Sequence, residues 1–124
     1  MTERKSVYIR LDANHAKGMG HLYRMVTLSN ILSLNTFIVN FIVRTNKIAE
    51  EILKNKKCEY LAFPESMSEE EIIEKVLSMQ NFLPVLWIFD ILSTETIWIK
   101  SIKEKGVKVI CFDDEKAGLY EADL

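Results

Sequence analysis

Two glycines followed by a histidine form the part of this sequence best suited to chemistry. The segment Gly18-Met19-Gly20-His21 lies between a short apolar run and an amphipathic stretch. Glycines allow positive φ and close approach of backbone N–H groups to a ligand, and a helix N-terminus attracts negative charge. The helix dipole disfavours the cationic form of a histidine at that position, so a neutral imidazole could accept a proton as a general base. The plainer interpretation is that His21 caps its helix.

Further polar residues follow the apolar runs of the chain. These candidate site residues are Arg10, Asp12, Asp90, Asp113 and Asp114. Arg24 lies one helical turn after His21, on the same predicted face. Asp90, Asp113 and Asp114 could instead be turn residues, because Asp stabilises turns through its own backbone bonds. Arg24 could instead form a structural ion pair.

Strands and helices that alternate along the chain would bring these residues together. Hydrophobic patterning predicts strands at residues 7–11, 37–43, 60–63, 85–89 and 107–112. It predicts helices at residues 21–34 and 47–56, a third opened by the capping box Ser68/Glu71, and a fourth capped by Ser93 and ended by Gly106. The acidic run at residues 69–71 is expected to be a solvated helix start, and Trp87 and Trp98 are expected in the core.

This alternation requires crossover connections and therefore a parallel sheet. The predicted fold is α/β, a Rossmann-like doubly wound sheet of about five strands with helices on both faces. Ligands bind such sheets beyond the carboxyl ends of the strands, which is where the candidate residues lie.

Length and composition indicate one domain across residues 1–124, with 48% hydrophobic and 27% charged residues and no linker or repeat. Sixteen basic and eighteen acidic residues, with interspersed signs, argue against a nucleic-acid partner. The apolar run near the start is too short for a signal sequence or a membrane span, so we expect a cytoplasmic protein without a membrane partner. Cys58 and Cys111 match no metal or C-x-x-C spacing, so buried thiols, no metal and no cofactor are expected.

Common motifs that resemble the glycine segment fit poorly. An NAD fingerprint needs a third glycine where Tyr23 stands and an acidic residue where Arg44 stands, so it has weak support. A phosphate-binding P-loop needs Gly-Lys-Ser or Gly-Lys-Thr, and neither occurs. A receiver domain carries its acidic pair after the first strand, whereas Asp113-Asp114 follows the last predicted strand.

Several segments occur in an order typical of one family. They are Ile9-Arg10-Leu11-Asp12-Ala13, Gly18-x-Gly20-His21-x-x-Arg24 with Leu28, Asp90, Asp113-Asp114 and Ala122-Asp123-Leu124. In this order the chain resembles the nucleotide-sugar hydrolases of pseudaminic acid biosynthesis and their spore-coat polysaccharide relatives. The likeness covers the whole of this chain but only about the first half of a family member. It implies the N-terminal domain of a glycosyltransferase-B-like fold, with the nucleotide-binding C-terminal half absent from this chain.

The resemblance also implies a reaction, in which water attacks the anomeric carbon of a UDP-linked amino sugar and UDP leaves with inversion. His21 matches the family's base, and Asp12 is expected to orient its imidazole or to bind sugar hydroxyls. The substrate-binding residues expected from the resemblance are Arg10, Asp12, Gly18, Gly20, Arg24, Asp90 and Asp113. Leu92, where the family usually has Tyr, and Lys17, in place of an apolar residue, predict some divergence in substrate.

The resemblance places this reaction in surface glycan biosynthesis and implies that the isolated chain is inactive. A separate C-terminal domain or a homo-oligomer would then complete the cleft. The alternative from another class is a non-catalytic binding or assembly domain of the same fold.

Overall fold

The computed structural model describes residues 5–12, 20–79, 83–91 and 94–112 of the chain. The strands in these ranges are β1 (Lys5–Leu11), β2 (Phe37–Arg44), β3 (Glu59–Phe63), β4 (Leu86–Asp90) and β5 (Lys108–Cys111). The helices are α1 (Gly20–Leu34), α2 (Lys47–Asn55), α3 (Glu69–Met79) and α4 (Thr96–Lys103). All four strand pairings are parallel, in the order β3-β2-β1-β4-β5. The predicted Rossmann-like α/β fold is confirmed.

Both faces of the sheet are apolar, and each is covered by two helices. Along β1, Val7 and Ile9 pack towards α1 and α2, whereas Tyr8 packs towards α3 and α4. Trp87 on β4 is fully buried and meets the Tyr8 ring edge-on, with the ring centroids 5.8 Å apart. Trp98 packs at the margin of the same cluster. Near-continuous hydrophobicity in β1, β2 and β4 follows from this double coverage, because both sides of each strand are buried.

Local sequence signals fix several helix ends. Ser68 and Glu71 form the predicted capping box, with reciprocal hydrogen bonds of 3.1 Å. Hydrogen bonding to the Glu71 carboxylate by the backbone N–H of Ser68, and secondly by the Ser68 side chain, lowers the pKa of Glu71. Gly106 follows α4 with φ +85°, which confirms its predicted left-handed conformation. The prediction for the start of α4 fails, because the N-cap is Glu95, without a side-chain capping bond. Ser93 lies outside the described residues.

The two cysteines are free thiols, as expected. Cys111 is buried, whereas Cys58 is only half-buried. Burial nevertheless raises the pKa of Cys58 despite the opposing effects of Ser29 and Lys56. Among the described helices, none is long and apolar enough to cross a membrane.

The strand order places a topological switch point between β1 and β4. From β1 the chain moves outward through β2 to β3, then crosses back to form β4 and β5 on the other side. Leu11, the last residue of β1, pairs with Asp90, the last residue of β4. The carboxyl ends of these two strands therefore lie side by side, at the position where doubly wound sheets bind ligands.

Candidate functional site

His21 and Asp90 meet at this switch point. His21 is the second residue of α1, and its Nδ1 lies 2.9 Å from Oδ1 of Asp90. The Asp90 side chain is fully buried, whereas that of His21 is 27% exposed. Because a carboxylate only accepts hydrogen bonds, we assign the proton to Nδ1, which leaves the lone pair of the neutral ring on Nε2. A base whose tautomer is fixed by a carboxylate is a recurrent arrangement for accepting protons.

Asp90 does not lie in a turn, which was the structural alternative to a role in the site. It is the last residue of β4 rather than a turn residue, and it is 1% exposed. Its contact with His21 suits it to orient the imidazole, which was one of the two alternatives for Asp12, the other being contact with sugar hydroxyls. Such burial favours positioning over the predicted direct contact of Asp90 with substrate.

Arg24 lies beside the same imidazole, on the face predicted from its spacing. Its Nη2 is 3.0 Å from Nδ1 of His21. Nδ1 carries a proton when it donates to Asp90, so it has no lone pair with which to accept a hydrogen bond from Arg24. The short distance is therefore a contact between the guanidinium and the ring rather than a hydrogen bond accepted by Nδ1.

Arg10 is a charged residue buried at the end of β1, 1% exposed. Its Nε and Nη2 donate to the two carboxylate oxygens of Glu69, at 2.8 and 3.1 Å. Its Nη1 donates to the carbonyl of Leu11 at 2.8 Å and to Oδ1 of Asp12 at 2.9 Å. All three guanidinium nitrogens are thus engaged within the protein, which favours a role in holding Asp12 over the predicted contact with substrate.

The surroundings of Arg10 also shift its pKa. Burial alone would lower the pKa of Arg10. The charges and hydrogen bonds of Glu69 and Asp12 outweigh burial, so the pKa is raised above its usual value. Arg10 therefore remains charged throughout the accessible pH range.

Glu69 lies beside the site and was not predicted from the sequence to take part in it. It is 6% exposed, so the expectation of a solvated helix start is wrong for this residue, although Glu70 and Glu71 are exposed. A second arginine approaches it, with Nη2 of Arg44 3.5 Å from Oε1 of Glu69. A signal was present in the sequence, since two apolar strands deliver arginines near their carboxyl ends and a buried cation requires a nearby anion.

Gly20, predicted to bind substrate, is the first residue of α1. Its φ is not positive, so the structure does not use the backbone freedom expected there. A Cβ built at Gly20 would meet nothing within 4 Å, so there is open space at this helix start. Gly18, Asp113 and Asp114 lie outside the described residues.

A groove elsewhere on the molecule is lined by none of the candidates that the structure describes. It lies between α3 and α4, encloses about 500 Å³ and is lined in part by Ile73, Leu77, Ile97 and Lys105. Within the described ranges no group of three or more metal-binding side chains occurs. The described polar side chains at the switch point are those of His21, Asp90, Arg24, Arg10 and Asp12.

Comparison with known proteins gives two matches. The chain is 31% identical over 110 residues to the spore coat polysaccharide biosynthesis protein SpsG of Bacillus subtilis, covering 88% of this chain and 31% of that protein. It is 30% identical over 108 residues to an uncharacterized protein of Methanocaldococcus jannaschii, covering 87% of this chain and 21% of that protein. The chain thus spans less than a third of either relative. No family model matches the chain, and no solved structure matches it significantly. These matches support a distant family relation to SpsG.

Proposed function

We propose that this chain forms one domain of a nucleotide-sugar hydrolase or glycosyltransferase-like protein of polysaccharide biosynthesis. The observation that carries the proposal is the 2.9 Å contact between His21 and the buried Asp90 at the switch point. The distant relation to SpsG supports the polysaccharide context. The UDP-linked amino sugar comes from the motif resemblance and is part of the proposal.

In the proposed reaction, His21 activates water. Nε2 takes a proton from the water molecule as its oxygen forms a bond to the anomeric carbon. The bond between that carbon and the leaving phosphate oxygen breaks, UDP departs with the electron pair, and the configuration inverts. Asp90 holds the ring in the required tautomer and stabilises the imidazolium that forms, as in other histidine–carboxylate pairs.

Arg24 and Asp12 have complementary roles in this proposal. The exposed Arg24 supplies positive charge next to the base, suited to a phosphate or hydroxyl oxygen of the substrate. Asp12 lies at the end of β1 with its side chain 21% exposed, so its carboxylate can accept hydrogen bonds from sugar hydroxyls. The remaining contacts to sugar and nucleotide are assigned to a separate C-terminal domain or a second copy of the chain.

The experiment that tests the proposal is UDP release from UDP-linked amino sugars. The variants are introduced into the gene in its source, so that any further domain or partner is retained in the purified protein. His21→Ala should lower turnover by about 10²- to 10⁴-fold, the usual contribution of a general base. The matched control is Thr27→Ala on the exposed face of the same helix.

Unchanged turnover in His21→Ala would end the catalytic proposal. A protein that binds the nucleotide sugar without releasing UDP would favour the alternative, a binding or assembly domain. Circular dichroism checks in either case that both variants are folded, which matters for His21→Ala because it removes a partner of the buried Asp90.

A further inference from the structure

The carboxyl ends of β1 and β2 carry a charged network that the proposed reaction does not use directly. It consists of Arg10, Glu69, Arg44 and Asp12. We propose that Glu69 is a positioning residue for Asp12 and acts through the rigid guanidinium of Arg10. The importance of Asp12 rests on the proposed function, whereas the positioning itself is a property of this chain.

The rigid guanidinium of Arg10 couples the position of Glu69 to that of Asp12. The group is planar, and the directions of its N–H bonds are fixed relative to one another. Glu69 binds the Nε and Nη2 edge with two hydrogen bonds, which sets the plane of the group. Nη1 is then directed towards the end of β1, where it donates to Leu11 and Asp12. Removal of Glu69 would leave that plane without its paired anchor.

The residues of the network differ in their exposure to solvent. Arg10 and Glu69 are buried, whereas the Asp12 side chain is 21% exposed. Arg44 has a similar exposure of 19%, but of these two accessible members Asp12 is the one that follows directly on the end of β1, beside the end of β4 at the switch point. Glu69 lies in the first turn of α3, so the placement of this helix determines where the Asp12 carboxylate is held.

The charge balance of the network also makes the position of Arg10 depend on Glu69. The two arginines of the network carry two positive charges, which the carboxylates of Glu69 and Asp12 balance. Neutral glutamine at position 69 would leave one excess positive charge in a poorly solvated region. Arg10 would then be drawn towards its remaining anionic partner or towards water, and its contact with Asp12 would change.

The test measures the side-chain conformation of Asp12 by NMR in the complete 124-residue chain. Three-bond couplings from Cγ to the backbone nitrogen and to the carbonyl carbon report whether χ1 occupies one staggered well or several. In the wild type they should lie at the limit for one well. In Glu69→Gln they should move towards the average over several wells. Glu74→Gln, the same change at an exposed position of α3, should leave them unchanged.

Glu69→Asp provides a second variant if Glu69→Gln does not fold. It keeps the charge but withdraws the carboxylate from the Nε and Nη2 edge, so the Asp12 couplings should also average. A single Asp12 rotamer in either folded variant, or averaged couplings in the wild type, would overturn the inference.

The outcomes separate this inference from the proposed reaction. Averaged couplings in Glu69→Gln, together with no UDP release by the wild-type protein, would support positioning and refute the hydrolase. A single rotamer in Glu69→Gln, together with UDP release that depends on His21, would refute positioning and support the hydrolase.

Discussion

Replacement of Asp90 by asparagine tests whether a buried carboxylate fixes the tautomer of His21. Asparagine has nearly the same shape, but its side chain presents an amide N–H as well as a carbonyl oxygen. In the wild type, Nδ1 donates to Asp90 over 2.9 Å. In Asp90→Asn, the amide can donate to an unprotonated Nδ1, and so can Nη2 of Arg24, which lies 3.0 Å from that nitrogen. The proton should therefore move to Nε2.

The structure sets the size of this effect. The Asp90 side chain is fully buried, so its contact with His21 is a charge-assisted hydrogen bond with little competition from water. Such bonds contribute about 1.5 to 3 kcal/mol, which corresponds to a preference of roughly 10- to 150-fold for the tautomer with the proton on Nδ1. A ring with its proton on Nε2 cannot accept one from water there, so UDP release by the proposed reaction should fall in the variant by about 10- to 150-fold, the same factor as the lost preference.

The assay is the pair of imidazole ¹⁵N chemical shifts of His21, measured at a pH at which the ring is neutral. The wild type should show a protonated Nδ1 and an unprotonated Nε2, and Asp90→Asn should show the reverse. A wild-type ring with its proton on Nε2, or the same tautomer in both proteins, would refute the assignment of Asp90 as the orienting residue.

Three further predictions concern the buried network, the α3 capping box and the nucleotide. Arg10→Met should lower the free energy of unfolding in urea by about 3 to 5 kcal/mol, because the buried Glu69 loses both hydrogen bonds from Arg10 and keeps only the longer ion pair with Arg44; a loss below about 1 kcal/mol would contradict the network. The lowered pKa of Glu71 means that its stabilising effect is present above the pKa of an unfolded glutamate and is lost as the pH falls through the folded value. The difference in melting temperature between wild type and Ser68→Ala should therefore shrink from neutral to acidic pH, and a constant difference would contradict this. Calorimetric titration should show that UDP binds the isolated chain more weakly than micromolar, whereas micromolar binding to a monomer would place the nucleotide site in this domain.

The fold could be predicted because its signals are local. Each strand is a short run of apolar residues, and each helix carries its own apolar stripe, so element types follow from periodicity alone. Parallel pairing then follows from the crossovers, without knowledge of any individual contact. The capping box at Ser68 and the left-handed Gly106 were predictable for the same reason, since their partners lie within a few residues.

The partners within the site could not be predicted in this way. The contact from His21 to Asp90 spans 69 residues of sequence, and the contact from Arg10 to Glu69 spans 59. Strand ends placed these side chains in one region of the sheet, but a carboxylate can serve an imidazole, a guanidinium or a ligand equally well. Spacing alone therefore could not tell whether Asp12 or Asp90 contacts the imidazole.

The two carboxylates differ in their positions relative to the strand ends. Asp90 is still within β4 and paired with Leu11, so its side chain is enclosed by neighbouring elements and suits a fixed partner. Asp12 lies one residue beyond β1, where its side chain remains partly in solvent. A buried carboxylate without a cationic or hydrogen-bonding partner is costly, whereas an exposed one is not. The enclosed Asp90 is therefore suited to orienting the base, and Asp12, restrained by Arg10 but accessible, is suited to meeting a ligand.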